Sequence, residues 1–197
     1  MVFPERRICI FTGSRRGASR KYAAAAVELA QGLVEHGFGL VYGGGNVGLM
    51  NVVANAVLQR GGHVIGVIPN ALVSKEVAHT GLSELRVVNS MHERKALMAE
   101  LSAGFIALPG GIGTMEEFFE VLSWAQLGIH QKPCGLLNIN GYYDALIDFL
   151  DHAAAEDFVK PKHRALLTVA KRPLTLLKRF ETILARPAVK KFDSSVT

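Results

Sequence analysis

The stretch Phe105-Ile106-Ala107-Leu108-Pro109-Gly110-Gly111-Ile112-Gly113-Thr114-Met115-Glu116-Glu117 passes from four apolar residues through a glycine-rich turn into a segment with helical spacing. The same pattern occurs twice more. Ile10-Phe11 leads into Thr12-Gly13-Ser14-Arg15-Arg16-Gly17, and Val41-Tyr42 into Gly43-Gly44-Gly45-Asn46-Val47-Gly48. Short apolar, β-branched runs at 8–11, 39–42, 64–68, 85–88, 105–108 and 135–137 read as strands, with 166–169 a candidate seventh. Helical spacing fills the intervals at 19–36, 46–60, 91–103, 115–128 and 142–156, and a last segment covers 173–186. Strands that are apolar almost throughout, alternating with helices, predict a parallel sheet covered on both faces. The expected class is therefore α/β, a doubly wound, Rossmann-like sandwich. In such sheets ligands bind beyond the carboxyl ends of the strands, where all three glycine turns lie.

The size and composition agree with one nucleotide-binding domain over residues 1–197. The 197 residues include 49% hydrophobic and 20% charged side chains, enough for a sizeable core and without the polar bias of a disordered chain. Residues 1–170 hold 15 basic and 15 acidic side chains, so the net charge of +5 sits wholly in 171–197, with 187–197 read as a loose basic tail. That tail has no interleaved aromatics and reads as a solvated helix face rather than a nucleic-acid site. No apolar run approaches the ~20 residues that span a bilayer, and the first residues lack a signal-peptide core, so a cytoplasmic protein away from membranes is expected. Cys9 and Cys134 are the only cysteines, each in an apolar run, and read as buried small hydrophobes. The seven histidines form no HExxH or other ligand spacing, and no metal is expected.

Glycine admits a ligand close to the backbone, and a helix amino terminus offers unpaired N–H groups with a positive dipole end. Three such turns at matching topological positions point to a phosphorylated small molecule. Gly43, Gly45 and Gly48 satisfy GxGxxG, yet the motif follows the second strand, and the next strand ends in Ile68-Pro69-Asn70 without an acid for a ribose hydroxyl. A dinucleotide is thereby disfavoured, and a P-loop is excluded because no glycine is followed by lysine. Glu116 and Glu117 are expected in the first turn of the helix after the third glycine turn. Acids there stabilise the dipole without any further role, but a carboxylate beside a phosphate-sugar site also suits glycosidic hydrolysis. Ser90-Met91-His92-Glu93 has capping-box spacing, and Arg94 and Lys95 just inside that helix favour a compensating anion.

Pro109-Gly110-Gly111-Ile112-Gly113-Thr114-Met115-Glu116-Glu117 resembles the PGGxGTxxE motif of the LONELY GUY (LOG) family of cytokinin riboside 5′-monophosphate phosphoribohydrolases, often labelled lysine decarboxylases. Gly13-Ser14, Tyr42-Gly43-Gly44-Gly45 with Gly48-Leu49-Met50, Met91-His92-Glu93-Arg94-Lys95 and Trp124-Ala125-Gln126-Leu127-Gly128-Ile129-His130 resemble further family segments in family order, over about residues 6–160. The resemblance implies hydrolysis of N6-substituted adenosine 5′-monophosphates to free base and ribose 5-phosphate, without metal or organic cofactor, by a homodimer. It implies catalytic roles for Arg94 and Glu117. It implies substrate binding by Glu76, Met91, Lys95, Gly110, Gly111, Ile112, Gly113, Thr114, Met115 and Glu116, with Gly13, Ser14, Gly43, Gly44 and Gly45 completing the site. Asn51 stands where the family usually has glycine, and Ile112 where it often has tyrosine. Three rival readings share the motifs or the label. They are a phosphoribohydrolase of plain AMP, a non-catalytic nucleotide or molybdenum-cofactor carrier, and a lysine decarboxylase, for which the chain offers no convincing pyridoxal phosphate site. A mean hydropathy of +0.23 is high for a monomer of this size and is consistent with an apolar interface.

Overall fold

A computed structural model describes residues 6–73 and 78–185. Seven strands form one sheet: β1 (Arg7–Phe11), β2 (Gly39–Tyr42), β3 (Val64–Pro69), β4 (Glu84–Val88), β5 (Gly104–Ala107), β6 (Cys134–Leu137) and β7 (Leu167–Ala170). The candidate seventh strand is real, shifted one residue along. All neighbouring pairs are parallel, in the order β4-β3-β2-β1-β5-β6-β7. The chain therefore works outward from β1 to one edge, returns to the centre at β5, and works outward to the other edge. The reversal between β1 and β5 is the topological switch point, where the loops leaving the two strands diverge and open a crevice.

The helices are α1 (Arg20–Glu35), α2 (Gly48–Leu58), α3 (Asn70–Val73), α4 (Met91–Glu100), α5 (Ile112–Gln126), α6 (Asp144–Ala155), α7 (Pro161–Arg164) and α8 (Pro173–Leu184). Ser19 caps α1 by accepting from the Lys21 amide, and Ser90 caps α4 by accepting from Glu93 N, while Glu93 accepts from the Asn89 amide. The expected capping box thus operates one residue wider on its return arm. The short helices α3 and α7, of four residues each, have too little periodicity to be visible in the sequence.

Side chains alternate across each strand and divide the core in two. Ile8, Ile10, Leu40, Tyr42, Ile106 and Leu108 face α1, α2 and α8, whereas Cys9, Phe11, Val41, Phe105 and Ala107 face α4, α5 and α6. Phe180 of α8 lies fully buried over Gly104 of β5 and Gly135 of β6, whose missing side chains make room for its ring. Among the described residues no helix is long and apolar enough to cross a membrane. Phe180→Ala should cost about 3–5 kcal/mol of unfolding free energy, read from a denaturant titration, because the cavity it leaves has rigid backbone for a floor.

Candidate active site

Helices α4 and α5 lie on the same face of the sheet and each carries one buried charge toward the carboxyl ends of the strands. Arg94 Nη1 and Glu117 Oε1 stand 3.1 Å apart, with side chains 8% and 11% exposed. Two charges so far out of water are tolerated only when paired and further hydrogen-bonded. Arg94 meets that need by donating from Nε to the Val67 carbonyl, within β3, at 3.1 Å. Its Nη1 also approaches Met91 Sδ at 3.7 Å, one turn back along α4. The guanidinium occupies the space that a side chain at residue 43 would fill, since a Cβ on Gly43 would collide with Nη2. Gly43 is therefore required by close approach to the arginine, not by its backbone angles.

A second charged group flanks the first. Lys95 Nζ donates to Glu116 Oε1 at 2.5 Å and lies 3.0 Å from Glu120 Oε1. Burial works to lower the lysine pKa, but the hydrogen bonds and charges of the two glutamates outweigh it and hold the ammonium above its ordinary value. Below the ion pair, the Cys9 thiol is pushed well up by burial and then by the charge of Glu117, so it remains a neutral core group. Burial likewise pushes Cys134 up to about 12.

The sequence places Glu116 and Glu117 in the first turn of their helix; the structure corrects this. Gly111 is the N-cap and α5 starts at Ile112, so both acids fall in the second turn. Gly113 does not delay the start, because first-turn amides have no intrahelical partner to lose. The first turn holds no acid, and stabilisation of the dipole no longer accounts for Glu117.

The glycine turns pack against one another above this pair. Gly13 N–H and Thr12 Oγ1 both donate to the Pro109 carbonyl at 3.2 Å, and the Leu49 amide donates to Gly13 O at 3.0 Å. Gly48, at φ +56°, has its Cα against the backbone of Ser14 and Arg15, so the left-handed conformation and the contact both demand glycine. Thr114 is buried against Gly110, Met115 is partly buried against the α4/α5 core, and Gly111, Ile112 and Gly113 are exposed, Ile112 almost entirely. Gly44 rests on β3, and Gly45 forms a lone antiparallel bridge with Ala78. Glu76 lies outside the described residues. The structure thus gathers Arg94, Lys95, Glu116, Glu117, Met91 and Gly43 at one end of α4 and α5, and Gly13, Ser14, Gly110 and Gly111 at the switch point.

A cavity of about 350 Å³ opens at that switch point, lined by the turn 13–17, Tyr22, Leu49, Pro109, Gly110, Gly111 and Tyr142. Tyr142 Oη donates to the Gly110 carbonyl at 2.6 Å, and Tyr143 Oη to the Leu108 carbonyl at 2.6 Å, so two tyrosines brace the third glycine turn from beneath. The sequence reading missed both, and it missed Glu120, which the i, i+4 spacing from Glu116 signals. It also missed what Asn51 does. Asn51 donates to Asn46 Oδ1 at 2.6 Å and accepts from Asn55, whose Oδ1 meets His79 Nε2 at 3.0 Å. His79 Nδ1 accepts from the Gly81 amide at 3.1 Å, which puts the ring proton on Nε2 and gives the ladder one direction. These bonds tie the second glycine turn to the segment following residue 77.

The family model described as "Possible lysine decarboxylase" matches residues 50–180. A probable cytokinin riboside 5′-monophosphate phosphoribohydrolase of Oryza sativa subsp. japonica is 55% identical over 176 residues, covering 89% of this chain and 78% of that protein. The chain belongs to the LOG family. The cytokinin riboside 5′-monophosphate phosphoribohydrolase LOG of the same plant is 51% identical over 89% of this chain and 73% of its own length. A third relative, from Arabidopsis thaliana, is 50% identical over 89% of this chain and 82% of that protein. Among solved structures, the molybdenum cofactor binding protein of Rippkaea orientalis superposes with a TM-score of 0.68 at 22% identity, over 91% of this chain and 98% of that one. The molybdenum cofactor carrier protein of Chlamydomonas reinhardtii does so with 0.68 at 21%, over 92% and 99%. At that identity these two bear on the Rossmann-like fold alone.

Removing the guanidinium from this LOG-family chain by Arg94→Ala should cost about 3–5 kcal/mol of stability, because Glu117 then stays buried without it. The double variant Arg94→Met/Glu117→Gln should lose less than the sum of the two single changes. Strict additivity in urea titrations would show that the two groups are not coupled.

Proposed function

We propose that the protein hydrolyses the N-glycosidic bond of N6-substituted adenosine 5′-monophosphates, isopentenyladenosine monophosphate among them, to the free base and ribose 5-phosphate. The observation that carries this reading is the buried Arg94–Glu117 pair beside the glycine turns, in a chain half identical to proteins named for this activity. The 5′-phosphate would take the amides of the Gly110–Thr114 turn at the start of α5, with Gly13 and Ser14 alongside. Glu117 would then stand at the ribose, where its charge stabilises positive character at C1′ and orients water. The C1′–N bond breaks, the water oxygen bonds to C1′, and the proton of that water ends on the departing base.

Arg94 has the charge and rigidity to hold Glu117 in place and to face the nucleotide without moving. Glu116, half exposed and tethered by Lys95, is suited to ribose hydroxyls. Lys95 itself does not suit the Schiff-base chemistry that a lysine decarboxylase requires, because its two glutamates keep the amine protonated. A homodimer in the cytoplasm belongs to the same reading. Exposed Leu85 and Val87 on the edge strand β4, with Met91 nearby in sequence, support an apolar contact between copies, and the two buried free thiols suit a reducing compartment.

The test is chromatography of products from isopentenyladenosine monophosphate, plain AMP and the unphosphorylated riboside. Free base should appear from the first, with little from the riboside. Glu117→Gln should lower turnover by about 10²–10⁴-fold, the usual worth of a positioned acid or base. Base release from the riboside equal to that from the nucleotide, or full activity of Glu117→Gln, would overturn the assignment.

A further inference from the structure

The cavity at the switch point is bounded by the first and third glycine turns, and its chemistry is one-sided. Gly13, Ser14, Gly110 and Gly111 line it together with Arg15 and Arg16. The backbone acceptors that would repel an anion there are already engaged. Pro109 O accepts from Gly13 N–H and Thr12 Oγ1, Gly110 O from Tyr142 Oη, and Gly13 O from the Leu49 amide. The first-turn amides of α5, by contrast, have no acceptor within their helix. The turns therefore offer donors where they meet.

Arg15 and Arg16 add charge to those donors. Both are exposed, and among the described residues neither forms an ion pair or a side-chain hydrogen bond. Arg86, Arg94 and Arg164, in contrast, each meet a carboxylate. Among the described residues no acid lines the cavity, and the turn 13–17 contains none. Two guanidinium groups adjacent in sequence repel one another, and an anion between them removes that cost. A phosphate monoester carries about −1.5 to −2 charges at neutral pH, which two guanidinium groups match. An unphosphorylated riboside brings no charge and leaves the two arginines as they are in the empty turn.

We propose that Arg15 and Arg16 clasp the 5′-phosphate of the substrate and are the residues that make the protein select nucleoside monophosphates over the unphosphorylated ribosides. The inference rests on the reading that this phosphate sits between the first and third glycine turns. The phosphate takes no part in bond breaking, so the two arginines hold it equally in the bound substrate and in the transition state. Their loss therefore appears in KM and not in kcat.

The experiment compares the whole protein with Arg15→Ser/Arg16→Ser, which alters only exposed side chains without partners among the described residues and should melt as the parent does. Lys160→Ser/Lys162→Ser is the control: it removes the same charge from exposed residues at α7, which precedes β7 at the amino ends of the strands. Base release from isopentenyladenosine monophosphate gives KM and kcat, and calorimetric titration with ribose 5-phosphate gives the affinity for the phosphate-bearing half alone. The arginine variant should raise KM tenfold or more, change kcat less than threefold, and weaken ribose 5-phosphate by a factor similar to that in KM. The lysine control should leave KM and the ribose 5-phosphate affinity within twofold of the parent. A KM changed by less than threefold, a tenfold fall in kcat at unchanged KM, an equal loss in the lysine control, or no binding of ribose 5-phosphate to the parent would overturn the proposal. Failure of the hydrolase reading shows separately, as absence of base release by the parent, and the ribose 5-phosphate titrations then decide the role of the arginines on their own.

Discussion

A guanidinium and a carboxylate buried 3.1 Å apart set the terms on which the rest of this molecule is arranged. Each would cost several kcal/mol to bury alone, and each therefore constrains whatever surrounds it. The Val67 carbonyl within β3 has to be free to accept from Arg94, residue 43 has to leave room for the guanidinium, and α4 and α5 have to sit side by side. The sheet order delivers that last requirement, because α4 is the crossover that returns the chain from the edge strand β4 to central β5, and α5 is the next helix out.

The same order explains where the third glycine turn stands. Strands β1 and β5 are neighbours whose following helices depart to opposite faces, so the turns after them separate just beyond their last residues. The Pro109–Gly111 segment stands in that fork. It is braced on one side by Tyr142 and Tyr143 and packed on the other against Gly13, with the start of α5 directly above the carboxylate of Glu117 along the helix. A rigid partition of this kind suits a ligand whose phosphate must be held still while bond breaking occurs one sugar away.

Much of this was legible in the sequence, and the reasons are specific. Apolar runs such as 105–108 read as strands because a parallel sheet buries both faces, and the glycine turns after 11, 42 and 108 read as ligand loops because each follows a strand and opens a helix. The membership shown by the relatives was likewise readable from Pro109 to Glu117 and Met91 to Lys95. The start of α5 was misjudged by three residues because Gly113 looks like a breaker and its position in the first turn is not visible in a string. Tyr142, Tyr143 and the carbonyl of Val67 escaped because backbone acceptors and their distant donors leave no local pattern. Asn51 appeared only as a departure from the family, while its hydrogen bonds to Asn46 and Asn55 depend on the helix being formed.

Where a nucleotide lies relative to the ion pair is tested most directly by a crystal structure of the protein with carbocyclic adenosine monophosphate bound, whose missing ring oxygen prevents hydrolysis. The phosphate should rest on the amides at the start of α5, and C1′ should lie beside the Glu117 carboxylate, directly or across one water. A nucleotide bound elsewhere, or with its base rather than its ribose against Glu117, would contradict it.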